Sequence, residues 1–97
     1  MSKRDEYVAK MKVQLDRWNA DVTKWEARAR EAQAAARPEF EKQLAAFRKQ
    51  RDVAMQQMHK VQAAAGEAWV ELVHGTDEAW ARMREAFEKA SSHFQKK

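Results

Sequence analysis

An all-α fold is what this sequence predicts, packed as an antiparallel coiled coil with a three-helix cross-section. Three observations predict it. The 97 residues contain only 2 Gly and 1 Pro, so the chain has few places to turn. Ala, Glu, Lys, Arg, Gln and Met, the strong helix formers, dominate the composition. Apolar residues recur at alternating steps of 3 and 4, the spacing of a coiled-coil seam. A β-sandwich would need turn residues every 8–12 positions, and this chain lacks them.

The first segment carries the longest seam: Val8, Met11, Leu15, Trp18, Val22, Trp25, Ala29, Ala32 and Ala36. A second runs Phe40, Leu44, Phe47, Arg51, Ala54, Met58, Val61, Ala65, after a one-residue phase shift at the join. A third runs Trp69, Val73, Thr76, Trp80, Met83, Phe87, Ala90, Phe94, with Glu67-Ala68-Trp69 echoed at Glu78-Ala79-Trp80. Acid-first i,i+4 pairs (Glu6–Lys10, Glu26–Arg30, Glu78–Arg82, Glu85–Lys89) support helix throughout, each by about 0.2–0.5 kcal/mol. Lys96 and Lys97 suit the negative end of the last helix dipole.

Three places challenge the helix. Pro38 is costly inside a helix and biases Arg37 away from the α region. Gly66, after three alanines, suits a helix C-terminus. Gly75-Thr76-Asp77-Glu78 reads locally as a stop and an N-cap, but the third seam crosses it in phase, which predicts a continuous helix. One domain over residues 1–97 results, with helical segments at about 5–37, 38–64 and 67–95.

The first two segments are either separate helices or one kinked helix. Reversal near Pro38 and Gly66 would put Trp25, Arg51 and Trp80 in one layer and Ala32, Leu44 and Phe87 in another. The alanines at 29, 32 and 36 would then face Phe40, Leu44, Phe47, Phe87 and Phe94, large against small. Turn chemistry is missing around Pro38, which favours the other arrangement: a long kinked helix over 5–63 with 67–95 folded back on its second half. That leaves Trp18 and Trp25 to be covered by a second copy, as in a domain-swapped dimer.

Composition also bounds function. There is no cysteine, so disulfides, thiol catalysis and cysteine-bound zinc are excluded. The opening Met1-Ser2-Lys3-Arg4-Asp5-Glu6 lacks the apolar core of a secretory signal, and no apolar run approaches membrane-spanning length. The lack of cysteine suits a reducing compartment. The net charge of +4 comes from 19 basic and 15 acidic residues. They are interleaved along the chain, with the positive excess centred on Arg48-Lys49-Gln50-Arg51. That pattern describes a solvated helical face better than a nucleic-acid patch.

Candidate chemistry is sparse. Hydrolase, phosphate-loop, dinucleotide and zinc-protease motifs are absent, so no enzyme and no cofactor is expected. Met55, Met58 and His59 have a spacing able to hold a soft copper ion. Glu71 and His74 match one half of a carboxylate-bridged di-iron element. For both sets the plainer reading is core methionine and solvated polar face. The residues expected to matter are the seam anchors Trp18, Trp25, Phe40, Phe47, Trp69, Trp80, Phe87 and Phe94. Arg51, charged at a seam position, would either stack between Trp25 and Trp80 or reach out to solvent on its aliphatic stem.

The segments Ser2-Lys3-Arg4-Asp5-Glu6-Tyr7-Val8, Gln14-Leu15-Asp16-x-Trp18-Asn19-Ala20, Gly66-Glu67-Ala68-Trp69, Ala79-Trp80 and Ala86-Phe87-x-Lys89-Ala90 carry a resemblance. The chain resembles a family of small bacterial coiled-coil proteins, often labelled stress-response. That resemblance implies a cytoplasmic bacterial protein and supplies no catalytic residues. The leading expectation is a non-enzymatic, self-associating coiled-coil protein, with a homodimer or another helical protein as partner. The alternative is an amphipathic protein that coats a membrane or storage granule, as phasin-like proteins do. Metal or cofactor binding within the bundle comes third.

Overall fold

In the computed structural model, residues 2–95 are described, apart from the side chain of Gln95. Among the described residues there are three helices: α1 (Lys3–Glu31), α2 (Arg37–Ala63) and α3 (Trp69–Gln95). They form an up-down-up bundle measuring 52 × 20 × 17 Å. Lys96 and Lys97, expected to complement the last dipole, lie outside the described residues.

α1 begins at Ser2, whose hydroxyl accepts from the Asp5 amide at 3.1 Å, and Asp5 and Glu6 put negative charge on the first turn. Its buried face is Val8, Met11, Leu15, Val22, Trp25 and Ala29, with Trp18 half-buried. The seam stops there. Ala32 is only half-buried and Ala36 is exposed, so the buried seam ends short of both alanines that the sequence pattern included.

The long kinked helix does not form. α1 and α2 are separate and antiparallel, with Glu26 paired to Arg48 and Asn19 to Arg51 across them. Pro38 sits in the first turn of α2, where its fixed φ fits and its missing N–H leaves no bond unmade. The reversal happens upstream, at Ala32, whose backbone is extended (φ −66°, ψ 152°). No glycine closes this helix end. The Arg37 guanidinium does so instead, donating to the carbonyls of Arg30 (3.3 Å) and Ala32 (3.2 Å). The naked half of α1 that would require a second copy is therefore covered by the chain's own α3.

The second reversal is conventional: Ala64 is extended and Gly66 takes φ +56°, a left-handed conformation costly for any residue with a Cβ. α3 then runs without a break through Gly75. Thr76 caps nothing. It is fully buried, and its hydroxyl bonds back to the Leu72 carbonyl at 2.8 Å. α3 lies between two partners, so its apolar face is broader than one seam. Ala79 joins Thr76, Trp80, Met83, Ala90 and Phe94 in the core. No helix among the described residues is long and apolar enough to cross a membrane.

Candidate functional site

Most of the aromatic side chains converge on the junction of α1 and α3. On α1, Trp18 and Trp25 are seven residues apart; on α3, so are Trp80, Phe87 and Phe94. Two heptads of equal pitch interdigitate, and a ladder of rings follows. Trp18 lies 6.2 Å from Trp80 and 5.3 Å from Phe87, ring centre to ring centre. Trp25 lies 5.0 Å from Phe87 and 5.3 Å from Phe94, nearly parallel to the latter at 6°. Phe40 of α2 extends the stack, 4.8 Å from Phe94, and Phe47 meets Phe87 edge-on at 5.9 Å. At the other end Tyr7 tilts against Trp69 at 6.0 Å. All of these separations fall in the favourable range for ring pairs, each worth about 0.5–1.5 kcal/mol beyond area burial.

Polar groups edge the ladder. The Trp80 indole N–H donates to Gln14 Oε1 at 2.8 Å. The Tyr7 hydroxyl donates to the Asp77 carboxylate and lies 3.5 Å from the Val73 carbonyl. Partial burial, then the hydrogen bond to Asp77 and its negative charge, hold the Tyr7 phenol well above its usual pKa. Arg28 donates to the Phe94 carbonyl at 2.6 Å, with its guanidinium 6.0 Å above the Phe94 ring.

Arg28 belongs to a set. Each helix C-terminus is closed by an arginine: Arg37 on the end of α1, Arg4 on the Ala64 carbonyl at 2.7 Å after α2, and Arg28 on α3. Unpaired carbonyls and the negative dipole end both favour a cation there. Sequence reasoning missed all three, because two of them act between helices. Tyr7, Gln14 and Asp77 were missed for the same reason; the available signal was their position one step beside the seam.

The anticipated seam anchors are brought together, but not in the anticipated layers. Trp25 meets Phe87 and Phe94 rather than Trp80, and Trp80 meets Trp18. Arg51 does not stack between tryptophans. It reaches outward to Asn19 Oδ1 at 3.2 Å, with Nε 3.8 Å from Asp52. Trp18, Phe40, Trp69 and Phe87 keep an edge in solvent; Trp25, Phe47, Trp80 and Phe94 are buried.

The metal candidates are dispersed. Met58 is in the core, Met55 packs against it, and His59 points to solvent. Glu71 and His74 are both exposed, and His74 Nε2 lies 3.3 Å from Glu78 rather than beside Glu71. Among the described residues no group of three or more His, Asp or Glu side chains is placed to hold a metal ion. His93, besides its place near the end of α3, meets Phe40 edge-on at 5.0 Å. No family model, curated protein or solved structure matches the chain.

Proposed function

We propose that this chain is a non-enzymatic helical interaction protein that associates with copies of itself. One observation supports this most: the aromatic ladder does not close over. Trp18, Phe87, Trp69 and Phe40 each present an edge to solvent, with Arg17 and Arg28 on the exposed surface of α1 nearby. Tryptophan and arginine around an apolar centre are the residues enriched at protein interfaces. Seven titratable groups, by contrast, are engaged in holding the bundle: Arg4, Arg28 and Arg37 at helix ends, Tyr7 and Asp77 to each other, Glu26 to Arg48. The stress-linked, cytoplasmic setting is part of the same proposal and rests on the family resemblance alone.

Sedimentation equilibrium tests the reading. The expected result is an average mass that rises above 11.3 kDa with concentration. A single 11.3 kDa species up to about 100 µM, where weak self-association with micromolar affinity would show, rejects it.

A second reading has its own observation. Lys10, Arg17 and Lys24 are exposed along α1, on the helix that bears Trp18. Were α1 to lift from α3, a Trp/Phe stripe bordered by cations would be available to an anionic surface. Flotation with anionic and neutral vesicles separates the two readings; recruitment to neither removes this one.

A further inference from the structure

The outer faces of α1 and α3 carry opposite charge in the same repeat. On α1, Lys3, Lys10, Arg17 and Lys24 recur every seven residues, and all four are exposed. Among the described residues none of the four has an ion-pair partner within the bundle. On α3, Glu71, Glu78 and Glu85 recur every seven residues, and all three are exposed. Seven residues of α-helix advance about 10.5 Å, so the two columns have one common pitch. Beside the cations on their outer side lie Val13, Ala20 and Ala27; beside the acids lie His74, Ala81 and Glu88, with Arg82 and Lys89 one turn along from Glu78 and Glu85. Val13 is more than half exposed, at 53%, although it is a β-branched apolar residue.

We infer that a second copy of this chain docks here, its acidic α3 column against the cationic α1 column of the first. This deepens the proposed self-association by naming the surfaces, and it rests on that reading. Charge complementarity selects the occupant. The partner must present carboxylates about 10.5 Å apart on a helix, and this chain's α3 does so. The short side chains of Val13, Ala20 and Ala27 let a second helix approach the cationic column closely.

Local competition for the carboxylates is weak. Glu78 faces His74 at 3.3 Å and Glu85 faces Lys89 at 3.5 Å, both one turn away on the same helix and largely exposed. Such pairs contribute little in water and exchange readily. An α1-to-α3 contact closes as a two-fold dimer where both columns of each copy engage together; where a single pair engages, the assembly keeps one free column of each sign and extends beyond a dimer. Columns of exposed charge also make it sensitive to salt.

The experiment is sedimentation velocity on the full chain and three variants, each checked for helix content by circular dichroism. The first variant is Lys10→Glu, Arg17→Glu, Lys24→Glu. The second is Glu71→Lys, Glu78→Lys, Glu85→Lys. The third combines both sets, exchanging the sign of each column.

The native chain is expected to associate at about 20 mM salt and to weaken at least about tenfold by about 500 mM, where screening shortens to a few ångströms. Each single-column variant is expected to stay monomeric at low salt. The combined variant is expected to associate again, which a mere loss of folding or of net charge would not produce. Association that ignores both salt and charge reversal overturns the column contact while leaving self-association standing. A native chain that is monomeric throughout overturns both. A first variant that only loses recruitment to anionic vesicles, with its mass unchanged, overturns the second copy as occupant in favour of lipid.

Discussion

The two flanks of α3 are built on different principles. Towards α2 the backbones run close together, and Gly75 comes to rest against Gln57. Towards α1 the backbones stand apart, and rings from Trp18, Trp25, Trp80, Phe87 and Phe94 span the gap. Close backbone packing spreads stability over many small contacts. A ring-spanned seam concentrates it in a few large side chains, so single substitutions should divide the flanks.

Trp25→Ala is the strongest way to break that contrast. Trp25 is buried and contacts Phe87 and Phe94, so its loss opens a cavity on the α1 side. The expected cost is about 3–5 kcal/mol, measured by urea unfolding followed by circular dichroism. Hydrogen exchange should place the damage in α1 while α2 and α3 keep most of their protection. A cost below about 1 kcal/mol, or loss spread evenly over three helices, would erase the distinction between the flanks.

The contrast also explains what could be read in advance. The three heptad seams are local patterns, and the structure has the three helices they implied. Where the chain reverses is not a local pattern here. Ala32 makes the first turn with no glycine, asparagine or proline at the bend, and its closing group, Arg37, lies five residues downstream. Pro38 attracted the reading of a kink because it is the only proline, yet a proline in a helix's first turn is at home. The ring pairing was misplaced for a related reason. A layer assignment that assumes symmetric reversals carries the error of both turns into α1 against α3, and Trp25 moved from Trp80 to Phe87 and Phe94. Arg28 and Arg4 have no sequence signal at all, since what they bind is a carbonyl on another helix or beyond its end.

Arg28→Ala sharpens the comparison at lower cost. The change removes the closing cation from the end of α3 and the guanidinium from the Phe94 ring, both on the ring-spanned flank. Arg28 is exposed, so about 1 kcal/mol is expected rather than the larger value of a buried charged hydrogen bond. Arg28→Lys should recover part of that through the dipole and none of the planar stacking. Full recovery by lysine would show that the ring contact contributes nothing.

Tyr7 reports on the same flank through pH. Its phenol is neutral in the fold, with its pKa raised by burial and then by Asp77. A group whose folded pKa lies above its unfolded value stabilises fully below the unfolded value, near 10 for tyrosine, and loses that contribution as pH rises further. Stability should therefore fall as pH climbs past about 10, in part through this group. Tyr7 is the only tyrosine, so phenolate absorbance follows it alone. Tyr7→Phe should cost about 1 kcal/mol at neutral pH and flatten the alkaline decline. Titration of the native chain at an ordinary tyrosine pKa would mean that α1 does not hold Tyr7 against Asp77.

The smallest effect comes from the close-packed flank, and it has the opposite sign. Gly75 is helical, and a Cβ there would meet only Gln57 Oε1, at 3.7 Å, an ordinary contact. Gly75→Ala should therefore stabilise the chain by about 0.5–1 kcal/mol, by helix propensity and a less free unfolded chain. Gly66 is the control. A Cβ there would touch nothing within 4 Å, but the backbone is left-handed at φ +56°. Gly66→Ala should lose about 1 kcal/mol from backbone conformation alone. If Gly75→Ala instead destabilised the chain, α2 and α3 would have to be packed more tightly at Gln57 than an added methyl allows, and the close flank would be the less forgiving of the two.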